Sequence, residues 1–214
     1  MDLKSELQRV WKFIWHNDSA LSWIVNIILA FILIKYVVYP VLGLLLGTSF
    51  PLVAVVSPSM DHSAGFDDWW STKGAWYEQR NITKEQFADF PMHNGFNKGD
   101  IILLRQKEPK DIETGDIIVF ISHRDRPRAD PIIHRVVKIW EKERMYFATK
   151  GDANERQIDD CSDKCLDETN IREDQVLGVS TLRIPYLGWV KIAFSSVIGE
   201  PYCRVTGNLW PCRS

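Results

Sequence analysis

The sequence predicts a mainly β domain that follows an N-terminal transmembrane helix. Two features lead to this prediction. One long apolar block lies near the N-terminus, and short apolar runs separated by turn residues fill much of the remaining chain. The 214 residues suit one globular domain with an anchor, or two small domains. We expect an N-terminal segment 1–19, an anchor 20–47, a main domain 48–200 and a tail 201–214.

The expected anchor is an apolar block that covers residues 20–46, ALSWIVNIILAFILIKYVVYPVLGLLL. A spanning helix needs roughly 20 apolar residues, and Lys35 is the only formal charge in the block. We place Lys35 near one membrane face, with Tyr36 and Tyr39 as an interfacial aromatic pair. Pro40 is expected to end or kink the helix. A cleaved signal peptide fits less well, because the block is too long and no A-x-A-like site follows promptly.

Basic residues before the anchor suggest its orientation. Lys4, Arg9 and Lys12 lie there, and an excess of Lys and Arg favours the cytoplasmic side of a membrane. We therefore expect a single-pass protein of the cell membrane, with its N-terminus inside and its main domain extracytoplasmic.

The four cysteines all lie in the C-terminal part of the chain, at Cys161, Cys165, Cys203 and Cys212. An even set in an exported domain is typical of disulfides, although the sequence does not specify the pairing and free thiols remain open. Zinc is less favoured, because there is no C-x-x-C pair and no histidine at a ligand spacing. We expect no metal and no other cofactor. The net charge of -2, without a basic run, also argues against a nucleic-acid partner.

A polar and aromatic stretch, residues 61–98, separates the first predicted strand from the others. The strand is the valine-rich run LVAVVSPSM at 52–60. The stretch that follows includes a helix-like segment, TKEQFADF, with Thr83 as its cap. We interpret the stretch as an inserted subdomain or lid, with a small core built on its tryptophans as the alternative. The sequon at Asn81 is a candidate glycosylation site.

Further β-type runs follow the insertion: DIILLRQ, DIIVFIS, PIIHRVVKIW and RMYFATK. Turn residues separate them, so their spacing indicates an all-β sheet or barrel rather than βαβ units. Residues 152–175 are polar and acidic and are predicted to be loop. The apolar segment that follows, 176–194, has a strand-like first half. Its second half, within 185–199, either packs on the domain or lies on the membrane surface.

Ser59 and His134 form the candidate catalytic pair. A serine becomes a nucleophile only beside a base. Of the five histidines, only His134 lies inside an apolar strand, which fixes a base better than a loop does. Lys150 is the alternative base and ranks below His134. A carboxylate from Asp152 or Asp159 would orient the histidine as the third member of a triad, whereas turn capping is the simpler explanation for these residues.

Five short motifs occur in order along the chain: SPSM, NKGDIILL, GDIIVF, PIIHRVV and TKGDAN. Together they resemble the box series of type I signal peptidases. The variant is the archaeal one, which is similar to the catalytic subunits of the eukaryotic signal peptidase complex. The resemblance covers residues 20–190, including the anchor. It implies the β-sheet catalytic fold that these peptidases share with LexA-type self-cleaving repressors.

The resemblance implies a role for each residue of the first motif and for the histidine. Ser59 matches the nucleophile. Ser57 matches a position that helps the backbone N–H of Ser59 to form the oxyanion hole, and Met60 completes this oxyanion and substrate-binding segment. Bacterial members have a lysine where this chain has His134, so the chain resembles the Ser-His branch.

The resemblance also implies two acidic residues. Asp152 matches the carboxylate of the G-D-x-N box. Asp159 matches a second acid further along the chain, with Asp160 ranked lower because its spacing is longer.

The implied function is that of a serine endopeptidase that removes N-terminal signal peptides from exported preproteins after small residues. The implied partners are those preproteins and membrane lipid, with accessory subunits as a further option. Two features depart from the family pattern: Pro58 replaces a common glycine, and residues 61–98 lengthen the connection to the next strand. The alternative is a membrane-anchored, non-catalytic β domain that binds a partner through the tryptophan-rich insertion.

Overall fold

A computed structural model describes residues 3–63, 65–122, 131–160, 166–189 and residue 192. The chain divides into two compact units, Met1–Ser49 and Phe50–Ser214. The four cysteines, the tail 201–214 and most of the segment 185–199 lie outside the described residues, so the predictions made for them stay predictions.

The first unit is helical. Its elements are α1 (Leu3–His16), α2 (Ala20–Leu33), a π-helical turn (Ile34–Val38) and α3 (Tyr39–Leu46). The last carbonyls of a helix have no partner within the helix, and two polar side chains of α2 supply partners for α1. Ser22 Oγ donates to the carbonyl of Phe13 at 2.7 Å, and Asn26 Nδ2 donates to that of Ile14 at 2.9 Å. This explains why an asparagine lies near the start of the apolar block.

The apolar block forms one helix, Ala20–Leu46, with a mean hydropathy of 2.3, which is long and apolar enough to cross a membrane. The helix does not end at Pro40. A proline removes one N–H and crowds the preceding turn, and here the turn before it widens: the N–H of Tyr39 bonds the carbonyl of Ile34, five residues back. The helix ends instead at Gly47, which has a left-handed φ of 68°.

The second unit is built on a β-sheet, as predicted, and the strands of this sheet are antiparallel. Its seven strands lie in the order β1-β2-β9-β3-β4-β5-β8, and β6 and β7 form a separate two-stranded ladder. The strands are β1 (Leu52–Ala54), β2 (Ile101–Arg105), β3 (Ile117–Phe120), β4 (Ile132–Glu141), β5 (Met145–Lys150), β6 (Asp159–Asp160), β7 (Leu166–Asp167), β8 (Ile171–Arg172) and β9 (Val176–Ile184).

The prediction of loop throughout residues 152–175 is wrong in part, because β6, β7 and β8 lie there. Each is only two residues long, too short to show a period-two pattern in sequence. Tertiary packing selects them: Leu166 and Ile171 are buried in a core cluster with residues of β3, β4 and β5.

Both faces of the sheet are buried at its centre. Successive side chains of a strand point to opposite faces. Accordingly, Ile117 and Val119 of β3 belong to one hydrophobic cluster, while Ile118 and Phe120 belong to another. This accounts for the continuous apolar run of β3, since a strand covered on both sides has no polar face.

The insertion folds as two helices, α4 (Phe66–Glu78) and α5 (Lys84–Ala88). The predicted cap at Thr83 is confirmed: its hydroxyl accepts from the N–H of Gln86, and the Gln86 side chain accepts from the N–H of Thr83, forming a capping box. A third core cluster joins the aromatic side chains of the insertion to Val137 of β4 and Ala148 of β5. The insertion is therefore packed on the sheet.

Candidate active site

Ser59 lies just beyond the first strand, on a backbone held from two sides. The N–H of Asp61 closes a turn onto the carbonyl of Pro58 at 3.0 Å. The N–H of Ala153 donates to the carbonyl of Ser59 at 2.8 Å, and the N–H of Phe96 donates to the carbonyl of Met60 at 2.9 Å. These bonds fix the peptide units on both sides of the Ser59 side chain.

His134 lies on β4 and faces Ser59. Its Nε2 atom is 3.0 Å from Ser59 Oγ, and the residue is only 4% exposed. On β4 it is paired with Ile118 of β3, so both neighbouring peptide units are held in the sheet. The structure thus brings together the serine and the histidine that the sequence predicts as nucleophile and base.

The carboxylate beside His134 belongs to Glu168. Its Oε1 atom is 2.5 Å from His134 Nδ1, and its side chain is fully buried. The N–H of Ile158 donates to Oε2 at 2.7 Å, and Thr149 Oγ1 donates to Oε1 at 3.3 Å. A proton on Nδ1 that is donated to Glu168 leaves the Nε2 lone pair facing the serine hydroxyl.

Asp152 lies elsewhere, which differs from the expectation that it orients His134. Its carboxylate accepts three hydrogen bonds from Arg135, at 3.0, 3.2 and 2.7 Å. Tyr77 donates at 3.0 Å, and His62 Nε2 is 3.1 Å away. Burial alone would raise the pKa of Asp152, but the charge of Arg135 and the hydrogen bonds from His62 and Arg135 outweigh it and hold that pKa well below its usual range.

Asp159 also lies apart from the imidazole. It is exposed, and it pairs with Asp167 in the β6–β7 ladder, next to Ile158 and Glu168. The Asp160 side chain lies outside the described part of the chain. The residue that the structure places against His134 is instead Glu168, which directly follows β7 of this ladder. Glu168 is one of five carboxylates between residues 159 and 168, and no motif distinguishes it from the others.

Ser57 and Met60 differ in what they offer a substrate. Ser57 is exposed, and its Oγ atom is 3.1 Å from Ser59 Oγ. Met60 is fully buried in the core, and the N–H of Asp152 contacts its sulfur at 3.4 Å. Its side chain packs in the core under the turn that carries Ser59, and it is not exposed to a substrate.

Lys150, the alternative base, is fully buried. Its Nζ atom donates to the carbonyls of Gly151 and Asp152, at 3.1 and 3.3 Å. Burial lowers its pKa to about 8. Although such a pKa suits a base, these bonds direct the ammonium group to the loop backbone.

A buried carboxylate, an imidazole and a serine hydroxyl in one hydrogen-bonded series define the class of Ser-His-acid sites, which occurs on several unrelated folds. No group of three or more metal-ligating side chains occurs among the described residues.

Comparison with known proteins narrows this class. The chain is 34% identical over 117 residues to the signal peptidase complex catalytic subunit SEC11C of Rattus norvegicus, covering 53% of this chain and 58% of that protein. It is 36% identical over 121 residues to the signal peptidase complex catalytic subunit sec11 of Schizosaccharomyces pombe, covering 47% of this chain and 61% of that protein. No family model matches the chain.

These comparisons confirm the resemblance to signal peptidases that the five motifs predict. The chain spans between half and two thirds of the length of these curated relatives.

Proposed function

We propose that this chain is a membrane-anchored serine endopeptidase that removes signal peptides from preproteins. The observation that carries the proposal is the hydrogen-bonded series Ser59–His134–Glu168, in which Ser59 and His134 lie in motifs that resemble those of signal peptidases. The names of the relatives support the substrate class.

In the proposed acylation step, Ser59 Oγ attacks the scissile carbonyl carbon as its proton passes to His134 Nε2. The imidazolium then donates that proton to the leaving amine as the C–N bond breaks. Glu168 stabilises the imidazolium through its bond to Nδ1. Fragment release leaves the carbonyl joined to Ser59 as an ester.

The proposed oxyanion donors are the Ser59 N–H and the Ser57 hydroxyl, which lies 3.1 Å from Ser59 Oγ on the exposed side of the turn. Removal of one such donor costs on the order of 3 kcal/mol in transition-state stabilisation. Deacylation reverses the proton route: a water gives its proton to His134 as it attacks the ester, and His134 returns it to Ser59 as the C–Oγ bond breaks.

The proposed setting is a membrane. The helix Ala20–Leu46 anchors the chain, and the basic residues before it favour an N-terminus inside and a peptidase unit outside the cytoplasm. We further propose cleavage after small residues, as the family resemblance implies. Because the relatives are named as subunits of a complex, accessory subunits are proposed as partners.

The structure gives no support to a non-catalytic module that binds through its tryptophans. Trp69 and Trp70 of the insertion are 5% and 7% exposed and belong to its own core, and the half-buried Trp76 packs against the same core. A binding surface needs exposed aromatic groups, and these three are packed within the domain.

The test is cleavage of a radiolabelled preprotein in detergent by the full chain and three variants. We expect the wild type to cut, and Ser59→Ala and His134→Ala to lose cleavage. Lys150→Met, which keeps the buried stem of the side chain, should still cut. If His134→Ala cuts and Lys150→Met does not, the base assignment fails. If folded wild type cuts nothing, alone or with added membrane fractions, the proposed function fails.

A further inference from the structure

We propose that the insertion, residues 61–98, clamps the loop that supports the catalytic serine, and that His62 and Tyr77 are positioning residues for the hydrolysis. This inference rests on the proposed function and assigns a role to the segment in which the chain departs most from the family pattern. The loop in question, residues 150–153, starts at the last residue of β5 and is called the support loop.

The side chain of Asp152 is the point at which the insertion holds the support loop. Arg135 approaches this carboxylate from β4, while His62 and Tyr77 approach it from the insertion. All four side chains are buried. Burial and the neighbouring Asp152 carboxylate raise the pKa of Tyr77 well above its usual value. Its hydroxyl therefore stays protonated and donates to the ionised aspartate.

The insertion also holds the backbone and the lysine of the support loop. Trp69 Nε1 donates to the carbonyl of Asp152 at 3.1 Å. The ammonium group of Lys150 lies 5.2 Å from the ring of Trp76 and 4.8 Å from the ring of Tyr77, within the range of a cation–π contact. Four aromatic or imidazole side chains of the insertion thus converge on two residues of the loop, Lys150 and Asp152.

The support loop is in direct contact with the reacting groups. The N–H of Ala153 holds the carbonyl of Ser59 at 2.8 Å. At Gly151, an added Cβ atom would lie 2.8 Å from His134 Nε2 and 2.9 Å from the carbonyl of Ser59. The clearance is so small that a support loop that moves toward the site would displace the serine or the histidine. A misplacement of about 1 Å can reduce a rate about 100-fold.

The hydrogen bonding of the His62 ring also supports a role in positioning the support loop. Its ring stacks on Trp69 with centroids 3.9 Å apart and planes 11° apart. Its Nε2 atom meets Asp152, while its buried Nδ1 atom has no hydrogen-bond partner among the described residues. An apolar ring would fill the same space without leaving a buried nitrogen unpaired. The histidine is therefore accounted for by its bond to Asp152.

The experiment separates positioning from folding with four single variants of the full chain. Tyr77→Phe removes only a hydroxyl. His62→Phe keeps a ring but removes the N–H group that faces Asp152. His62→Gln restores a hydrogen-bond donor at this position. Trp70→Phe is the matched control, because Trp70 packs in the same aromatic core but has no bond to the support loop among the described residues. Cleavage rates, KM and melting temperature are measured for each variant at a temperature where all are folded.

We expect kcat to fall at least about tenfold in Tyr77→Phe and His62→Phe, the effect of one hydrogen bond to a charged group, with KM within about twofold of wild type. His62→Gln should recover part of the loss. Trp70→Phe should lower the melting temperature and leave kcat unchanged. Wild-type kcat in both Tyr77→Phe and His62→Phe, or an equal loss in Trp70→Phe, would overturn the proposal.

A second readout does not depend on cleavage. Nitrogen-15 NMR of the imidazoles, with His134 assigned by the loss of its signals in His134→Ala, should show a shift of the His134 resonances in Tyr77→Phe and His62→Phe but not in Trp70→Phe. Unshifted resonances in the first two variants would contradict the clamp. Shifted resonances in a chain that cleaves no preprotein would support the clamp and reject the proposed substrate.

Discussion

At the scale of single residues, the site contains two buried carboxylates that differ in their neighbours. Asp152 faces the guanidinium group of Arg135 on β4, together with a phenol and an imidazole from the insertion. Glu168 faces the imidazole of His134, one backbone N–H and one hydroxyl. Because Arg135 already balances the charge of Asp152, only Glu168 is placed to stabilise a charge that develops on His134.

Replacement of the Glu168 carboxylate should remove most of the activity. We expect Glu168→Gln to lower kcat by about 10² to 10⁴, because an amide can donate to Nδ1 and favour the wrong imidazole tautomer. The measurement is preprotein cleavage under single-turnover conditions, with a thermal melt to show that the variant is folded. Asp159→Asn is the matched control and should keep wild-type kcat. If Asp159→Asn abolishes cleavage and Glu168→Gln does not, the roles are reversed.

Replacement of Asp152 should act first on stability. Its pKa is lower in the folded chain than in the unfolded one, so its stabilisation is fully present above about pH 5 and is lost progressively as pH falls. We expect Asp152→Asn to lower the free energy of unfolding by about 3–5 kcal/mol at pH 7, since Arg135 is left buried without its counter-charge.

The pH dependence provides the check on Asp152. Denaturant titrations measure the free energy of unfolding of wild type and of Asp152→Asn at each pH. The difference between these two free energies should become smaller below about pH 4, where the aspartate of the unfolded chain becomes protonated. If the difference in the free energy of unfolding stays constant from pH 7 to pH 3, the charge of the carboxylate does not stabilise the fold.

At the scale of elements, rigid strands carry the base and short connections carry its partners. His134 lies inside β4, Ser59 follows β1, and Glu168 follows β7. The helices of the insertion add an aromatic core that packs on β4 and β5. The stability of these helices is therefore linked to the strands that hold the base and the support loop.

Loss of the α5 cap should destabilise the insertion. Thr83→Ala removes the hydroxyl that accepts from the N–H of Gln86 and is expected to lower stability by about 1 kcal/mol, or about 2–4 °C in melting temperature for a domain of this size. Differential scanning calorimetry measures the change. Thr83→Ser keeps an acceptor and should melt close to wild type. Equal melting temperatures for Thr83→Ala and wild type would show that the capping box contributes nothing.

At the scale of the whole molecule, the two units differ in whether their apolar side chains are buried within the protein. In the span Ala20–Leu46, no part of the most apolar window is buried within the protein. In the second unit, the hydrophobic side chains form three core clusters around the sheet and the insertion. An apolar surface as large as that of the first unit is unfavourable in water, which supports the proposal that this unit lies in a membrane.

A charge in the span should impair membrane insertion. We expect wild type to remain in the membrane pellet after alkaline carbonate extraction. Ile28→Arg should shift a large fraction to the supernatant, because an arginine at the centre of a spanning helix costs about 2.5–3.5 kcal/mol. Ile28→Val is the matched control. Full extraction of the wild type would contradict a spanning helix.

The sequence by itself determined the elements that have a clear period or a specific motif. The length of the apolar block predicted a helix long and apolar enough to cross a membrane, and alternating or continuous apolar runs predicted β2 to β5. The motif order singled out Ser59 and His134, which the structure places 3.0 Å apart. The helix and the strands were readable because they depend on neighbouring residues, whose spacing fixes which side chains share a face. The two site residues were identified through the resemblance to a known family.

Only the tertiary structure decided which carboxylate meets His134 and what the insertion contacts. Glu168 lies 34 residues from His134 in sequence and reaches it through a ladder of two-residue strands, which leave no periodic signal. His62 lies 90 residues from Asp152, and their contact depends on how an aromatic core packs on a sheet. Such contacts follow from the packing of whole elements, and the local pattern of the chain does not encode them separately.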